Sequence, residues 1–236
     1  MKAMRAVLFL VASSSHGLQA TPGSKVARGC RGGGASKVSL GGVAIPGGEW
    51  YANELKSAPM RTRMWTSGAI AGGGDVLAQT VSGSLDVERL VAFVLVNALF
   101  FAPIIGPWFA FLSRNADRAR RETELPSWFI TGVQTAVDQT VGAVTILGAF
   151  FVVNELFKWL VASVIALKVL PLAPAWDAGV AALQGSLMVT MRANWKIWPV
   201  ANYLNFAYVP AEFQLLVSNV VAFFWSALLS AIASGS

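Results

Sequence analysis

The stretch NWKIWPVANYLNFAYVP, residues 194–210, puts Trp195 and Trp198 three apart beside Lys196. Indole rings and a lysine that can stretch its ammonium towards water suit a membrane–water boundary, and these three residues are expected to anchor the chain there. Pro199 and Pro210 are expected to divide the segment into short pieces. Asn202 and Asn205 lie three apart, so one helical face can carry both amides. An apolar span interrupted in this way and followed by another apolar span reads as the working end of a helical membrane protein. The plainer alternative is that Pro and Asn build a tight interfacial turn and nothing more.

The composition around it agrees. The chain has 236 residues, 55% hydrophobic and 13% charged, with a mean hydropathy of +0.58. A soluble domain carries about 25% charged residues, so the membrane class comes first. The net charge of +6 is a leader effect. Six of the eighteen basic residues fall within 1–48, which has no acid, and the twelve left in 49–236 balance all twelve acidic ones. No basic face remains for nucleic acid, and that partner is rejected. Cys30 and His16 are the only residues of their kinds, and both precede Glu49. The body therefore has no thiolate, no His-based triad and no Cys or His zinc site. No enzyme activity, cofactor or metal is expected.

Residues 1–20 have two early positive charges, a short apolar run over Ala6–Ala12 and small residues up to Ala20, the pattern of a secretory signal. Residues 21–48 are rich in Gly, Ser, Lys and Arg, as in an organelle transit peptide. In series they resemble the bipartite leader of a plastid protein, and a single mitochondrial presequence is the simpler reading. Residues 1–48 are expected to be a disordered targeting leader, and 49–236 a single multi-span membrane domain.

Within the body, 51–63 reads as an interfacial helix and 64–82 as a first span. There Gly68, Gly72, Gly73 and Gly74 admit a close neighbour, and Asp75, Gln79 and Ser82 form a polar stripe. A second span over about 89–112 contains Asn97, with Pro103 and Pro107 implying a kink. The charged segment 113–126 reads as a solvated turn. A third span runs from Trp128 to about Val153 and carries Gln134, Asp138 and Gln139, with Asn154, Glu155 and Lys158 marking its exit. Asp177 is expected to cap a helix that runs to about Trp198, and 211–233 is the last span, with Gln214 near its start. Nine basic residues fall on one side of this arrangement and three on the other, the positive-inside bias. The expected fold is an all-α polytopic transmembrane helix bundle of four to five spans.

These residues also resemble a family. Trp50-Tyr51 with Leu55 and Pro59 comes first, then Gly74-Asp75, Ala78-Gln79, Pro103, Trp108-Phe109 and Asp138-Gln139. Asn194-Trp195, Trp198-Pro199, Asn205-Phe206, Val209-Pro210 and Trp225 complete the set. In this order and spacing they resemble the Mpv-seventeen / peroxisomal membrane protein twenty-two family over about 50–231. The resemblance implies a small multi-span protein of a plastid, mitochondrial inner or peroxisomal membrane, in that order of expectation. Departures are Gly106-Pro107-Trp108-Phe109 where the family has His-x-Trp-Tyr, Asn202 and Gln214 where it has Gln and Arg, Ser226 where it has Asn, and no Pro after Asp138-Gln139.

Two functions follow from the resemblance and the polar residues. One is a channel for ions or small solutes, lined by Asp75, Gln79, Asn97, Gln134, Asp138, Gln139, Asn202, Asn205 and Gln214, with the two acids favouring cations. The other is a non-conducting structural or accessory protein in an organelle membrane complex. The partners expected are the lipid bilayer, together with a homo-oligomer or a larger membrane complex.

Overall fold

The computed structural model describes residues 39–40, 43–44, 48–83 and 85–234, with side chains over 48–83 and 85–226. A two-residue antiparallel pair, β1 (Ser39–Leu40) with β2 (Val43–Ala44), lies in the transit-like segment. The signal-like reading of 1–20 and most of the transit-like reading lie outside the described residues.

Six helices follow. α1 (Gly48–Ser57) buries Tyr51 and Leu55 against Phe213. Pro59 then starts α2 (Pro59–Ser82) at its first turn and keeps Ala58 out of helical conformation. Arg61 and Arg63 therefore belong to α2 rather than to an interfacial helix over 51–63. Gly83, at φ 76°, ends α2. α3 (Val87–Glu122) and α4 (Ser127–Ile165) are 36 and 39 residues long, and both are long and apolar enough to cross a membrane. α5 (Ala173–Tyr208) has 36 residues and α6 (Gln214–Ser234) has 21. Short turns make successive helices antiparallel. α2 packs on α3, α3 on α4, α4 on α5, α5 on α6, and α6 returns to α2, so the last helix closes a ring.

The distribution of polarity identifies the solvent. Val164, Leu204, Phe224 and Val141 are at least half exposed, while Gln79 and Gln134 are among the largest fully buried side chains. Water would favour the reverse arrangement, whereas lipid tolerates apolar groups outside and drives amides inward to find partners. The bundle is an all-helical membrane fold.

Several boundaries differ from the sequence reading. Residues 113–122 continue α3 and only 123–126 form the turn. Ala116 and Ala119 give this charged segment a buried face against Ile130, and Arg118–Glu122 and Arg120–Asp117 pair along its outside. Glu155 and Lys158 pair at 2.7 Å within α4 rather than marking its end. α5 starts at Ala173 with Pro174 in its first turn, so Asp177 lies inside the helix and is not its cap. Pro199 is also inside α5 and does not divide it, because the bundle's packing outweighs one missing backbone bond. Pro210 does fall in a break, the turn between α5 and α6.

Two π-turns interrupt the long helices. One, Asn97–Phe101, ends two residues before Pro103, and Pro107 lies further along α3. The other, Asp138–Gly142, begins at the buried acid of α4. Such turns widen a helix by one residue and redirect the side chains on it.

Candidate functional site

The nine polar residues singled out in the sequence do not share one wall. They fall into four neighbourhoods, each built from a different set of helices.

The first ties α2 to α3. Asp75 is 4% exposed and accepts from Arg89 Nη2 at 2.7 Å and from Gln79 Nε2 at 2.6 Å. Gln79 in turn donates to the Asp86 carbonyl and accepts the Asp86 N–H, while Asp86 caps α3 through the Arg89 N–H. The carboxylate is thus neutralised by a cation that no spacing within its own helix indicated. Replacing Arg89 by Ala is expected to cost about 2 kcal/mol of stability, because it leaves a buried carboxylate with a single amide partner. Replacing the exposed Arg61 is expected to change stability by no more than about 0.5 kcal/mol. Parallel thermal unfolding of the two variants in detergent checks the difference.

The second neighbourhood is smaller. Asn97 donates to the Phe93 carbonyl and borders a cavity of about 30 Å³ with Asn219 and Ser226. Such a space can hold a water. Asn219 also donates to Ser67 Oγ at 2.7 Å, joining α6 to α2.

The third is a hub around Asp138. Its Oδ1 accepts from Trp108 Nε1 at 2.8 Å, and its Oδ2 from Gln139 Nε2 at 2.8 Å and Asn202 Nδ2 at 2.7 Å. Gln139 then accepts from Asn194 Nδ2 at 2.9 Å through its side chain and from Trp195 Nε1 at 3.3 Å through its carbonyl. The absence of a side chain at Gly142 makes room for the indole, since a Cβ there would lie 2.5 Å from Trp108 Nε1. One carboxylate therefore joins α3, α4 and α5. On the outer face of α5, Trp195 and Lys196 are exposed and Trp198 is half-buried, so Trp195 serves the hub as well as presenting its ring outward.

The fourth lies one turn from the hub along α4. Gln134 Nε2 donates to Ser113 Oγ at 3.3 Å, and Ser113 donates to Gln214 Oε1 at 3.1 Å. Gln214 Nε2 donates to the Val209 carbonyl, and Asn205 Nδ2 donates to the Gln214 carbonyl and to Ser218 Oγ. Gln134 Oε1 and Asn205 Oδ1 are buried without a partner. Turning the Gln134 amide over would leave its NH₂ unpaired instead, so one end stays unsatisfied either way. Gln134 also forms part of the lining of a cleft of about 600 Å³ between the facing ends of α3, α4, α5 and α6. Asp117 and Arg120 stand on the wall of that cleft.

Sequence reasoning placed Gln134, Asp138, Asn202, Asn205 and Gln214 together as interior lining groups. It did not assign Trp108, Arg89, Ser113, Asn194 or Gly142 to the polar interior. The Trp108-Phe109 motif was the one available signal, since a tryptophan within an apolar span still needs an acceptor for its N–H.

The profile of the Mpv17 / PMP22 family matches residues 174–230. Protein sym1 of Aspergillus oryzae is 29% identical over 191 residues, covering 79% of this chain and 97% of the relative. Protein SYM1 of Saccharomyces cerevisiae is 29% identical over 186 residues, 76% of this chain and 86% of the relative. The mitochondrial inner membrane protein Mpv17 of Caenorhabditis briggsae is 26% identical over 178 residues, 75% of this chain and 87% of the relative. The chain is similar to the Mpv17 / PMP22 family. No solved structure matches it. The matched segment carries Asn194 and Asn202 of the Asp138 hub and Asn205 and Gln214 of the cleft floor. The family segment supplies one half of each cluster, and α3 and α4 supply the other.

Proposed function

We propose that the protein crosses an organelle membrane five times, through α2 to α6, and passes small polar solutes along the seam between α3, α4, α5 and α6. At 1.5 Å per residue, the 21 residues of α6 extend about 32 Å and every other rod is longer, against a hydrocarbon core of about 30 Å. The observation that carries the reading is the cleft floor. A solute entering there meets Gln134, Ser113 and Gln214 first and the Asp138 hub one turn further on. In the state described, the hub closes the seam, since both carboxylate oxygens hold neighbouring helices together. The cleft opens on the face with most of the basic residues, which positive-inside bias directs to the matrix side. The named relative of the mitochondrial inner membrane supports that membrane as the location. The relatives' names give the plastid expectation no support.

Planar-bilayer recording of the purified full chain, beside Asp138→Asn, tests the passage. The amide turns a donor towards groups that already donate, so the latch loosens and openings are expected to become longer or more frequent in the variant. Silence from both proteins, each shown to be folded and inserted, overturns the passage.

One observation favours the accessory reading. Asp75 and Asp138 are both engaged within the fold, as they would be if polar groups served only to fix the bundle. That reading expects stable co-purification with a larger complex, and a lone monomer in mild detergent counts against it.

A further inference from the structure

We propose that the cleft between the ends of α3, α4, α5 and α6 binds a zwitterion of the α-amino acid type. The inference rests on the cleft being open to solutes as proposed above, and it adds which solutes they are. Its charged lining is one base and one acid, Arg120 and Asp117. They pair with each other at 2.8 Å and cancel, so a ligand with equal and opposite charges leaves the cleft neutral, whereas a ligand with a single net charge does not.

The geometry assigns each ligand group a place. Arg120 gives one guanidinium N–H to Asp117 Oδ1 at 2.8 Å and another to Thr131 Oγ1 at 3.0 Å. These two bonds fix the fork, and a guanidinium has five N–H donors, so the rest of it can meet a carboxylate. Thr131, which holds the guanidinium, and Gln134 are i and i+3 on α4, hence about 5–6 Å apart at their Cβ atoms. Gln134 is 1% exposed, and its Oε1 has no partner. A buried carbonyl left without a donor is costly, and an ammonium bound beside the carboxylate supplies that donor. An α-amino acid carries both groups on one carbon, and Arg120, through Thr131, stands one turn of α4 from Gln134, so one small molecule can span the two. Trp128 and Tyr203 line the same space and offer ring surface to the ligand's side chain.

The test uses L-leucine, with 4-methylpentanoate as the same skeleton lacking the ammonium and 3-methylbutylamine as the one lacking the carboxylate. Binding to the full chain in detergent is read by calorimetry and by the shift in thermal unfolding. Leucine is expected to bind, and each trimmed probe to bind at least about tenfold more weakly, the loss expected of one charge-assisted contact. Arg120→Gln is expected to remove the preference for leucine over the amine. Gln134→Leu, which leaves Arg120 in place, is expected to remove the preference for leucine over the carboxylate. If Arg120→Gln unfolds, Arg120→Lys keeps the charge without the fork and should still bind leucine more weakly. Equal binding of leucine and 4-methylpentanoate, or no binding of leucine, overturns the proposal. Because the assay needs no current, leucine binding in a protein that is silent in bilayers would overturn the passage and leave the site standing. Currents without leucine binding would do the opposite.

Discussion

Replacing Asp138 by alanine destabilises the protein by about 3 kcal/mol, as three N–H donors, two of them in fully buried bonds, lose their acceptor at about 1 kcal/mol each. Polar contacts inside membrane bundles average less than that singly, because the unfolded state in lipid also finds partners. Here, however, one side chain satisfies three donors drawn from α3, α4 and α5. Those donors cannot all find new partners without moving the helices. Thermal or denaturant unfolding in detergent reads the cost directly. The value also bears on mechanism. A cost below about 1 kcal/mol would mean that water takes the carboxylate's place, so that the hub is wet and the three helices do not depend on it. A second perturbation reaches the same point from outside. Gly142→Ala places a methyl 2.5 Å from Trp108 Nε1 and must displace the indole from Asp138. If both substitutions act through the hub, the double variant costs less than the sum of the two singles.

The clusters show what the sequence could reveal. Gln134 and Asp138 are a turn apart on one helix, and Asn202 and Asn205 are three apart on another, so local spacing places both pairs on interior faces. The partners of these residues come from far along the chain. Trp108 meets Asp138 across 30 residues, and Ser113 meets Gln214 across 101. No periodicity encodes those distances, and the same holds for Arg89, which pairs with Asp75 only because Gly83 reverses the chain between them. The expectation that Asp75 and Asp138 face one cation path came from treating each acid as a free charge. One is held by a guanidinium and the other by three amide or indole donors. The boundaries that differed share another cause. Residues 113–122 look like a charged loop when counted by composition, but Ala116 and Ala119 on one face make them a helix. Pro199 looks like a break when judged alone, but neighbours on both sides of α5 keep its helix continuous.

Gly179→Ala is expected to be as damaging as loss of Asp138, although it adds one methyl group and removes no polar contact. Gly179 lies on α5 where that helix crosses α4, and a Cβ built there would sit 2.8 Å from Val152 Cα and 3.3 Å from the Val152 carbonyl oxygen. The obstacle is backbone, so no rotamer change relieves it, and the two helices must separate. Close approach of small residues is how membrane helices gain dispersion contacts where no hydrophobic drive exists between them. Overpacking of this kind costs about 3 kcal/mol, near the upper end of the usual range. Gly185, also on α5, has nothing near its missing Cβ, so Gly185→Ala is the matched control and should be neutral or slightly stabilising through better helix propensity. Measured side by side by thermal unfolding, equal stabilities for the two variants would mean that α4 and α5 do not touch at Val152. A large loss confined to Gly179→Ala would mean that α5 is seated against α4 at this point. The same seating fixes the register in which Asn194 and Asn202, further along α5, meet Gln139 and Asp138. A separation at Gly179 should therefore also loosen the hub and, on the passage reading, lengthen openings in the bilayer as Asp138→Asn does.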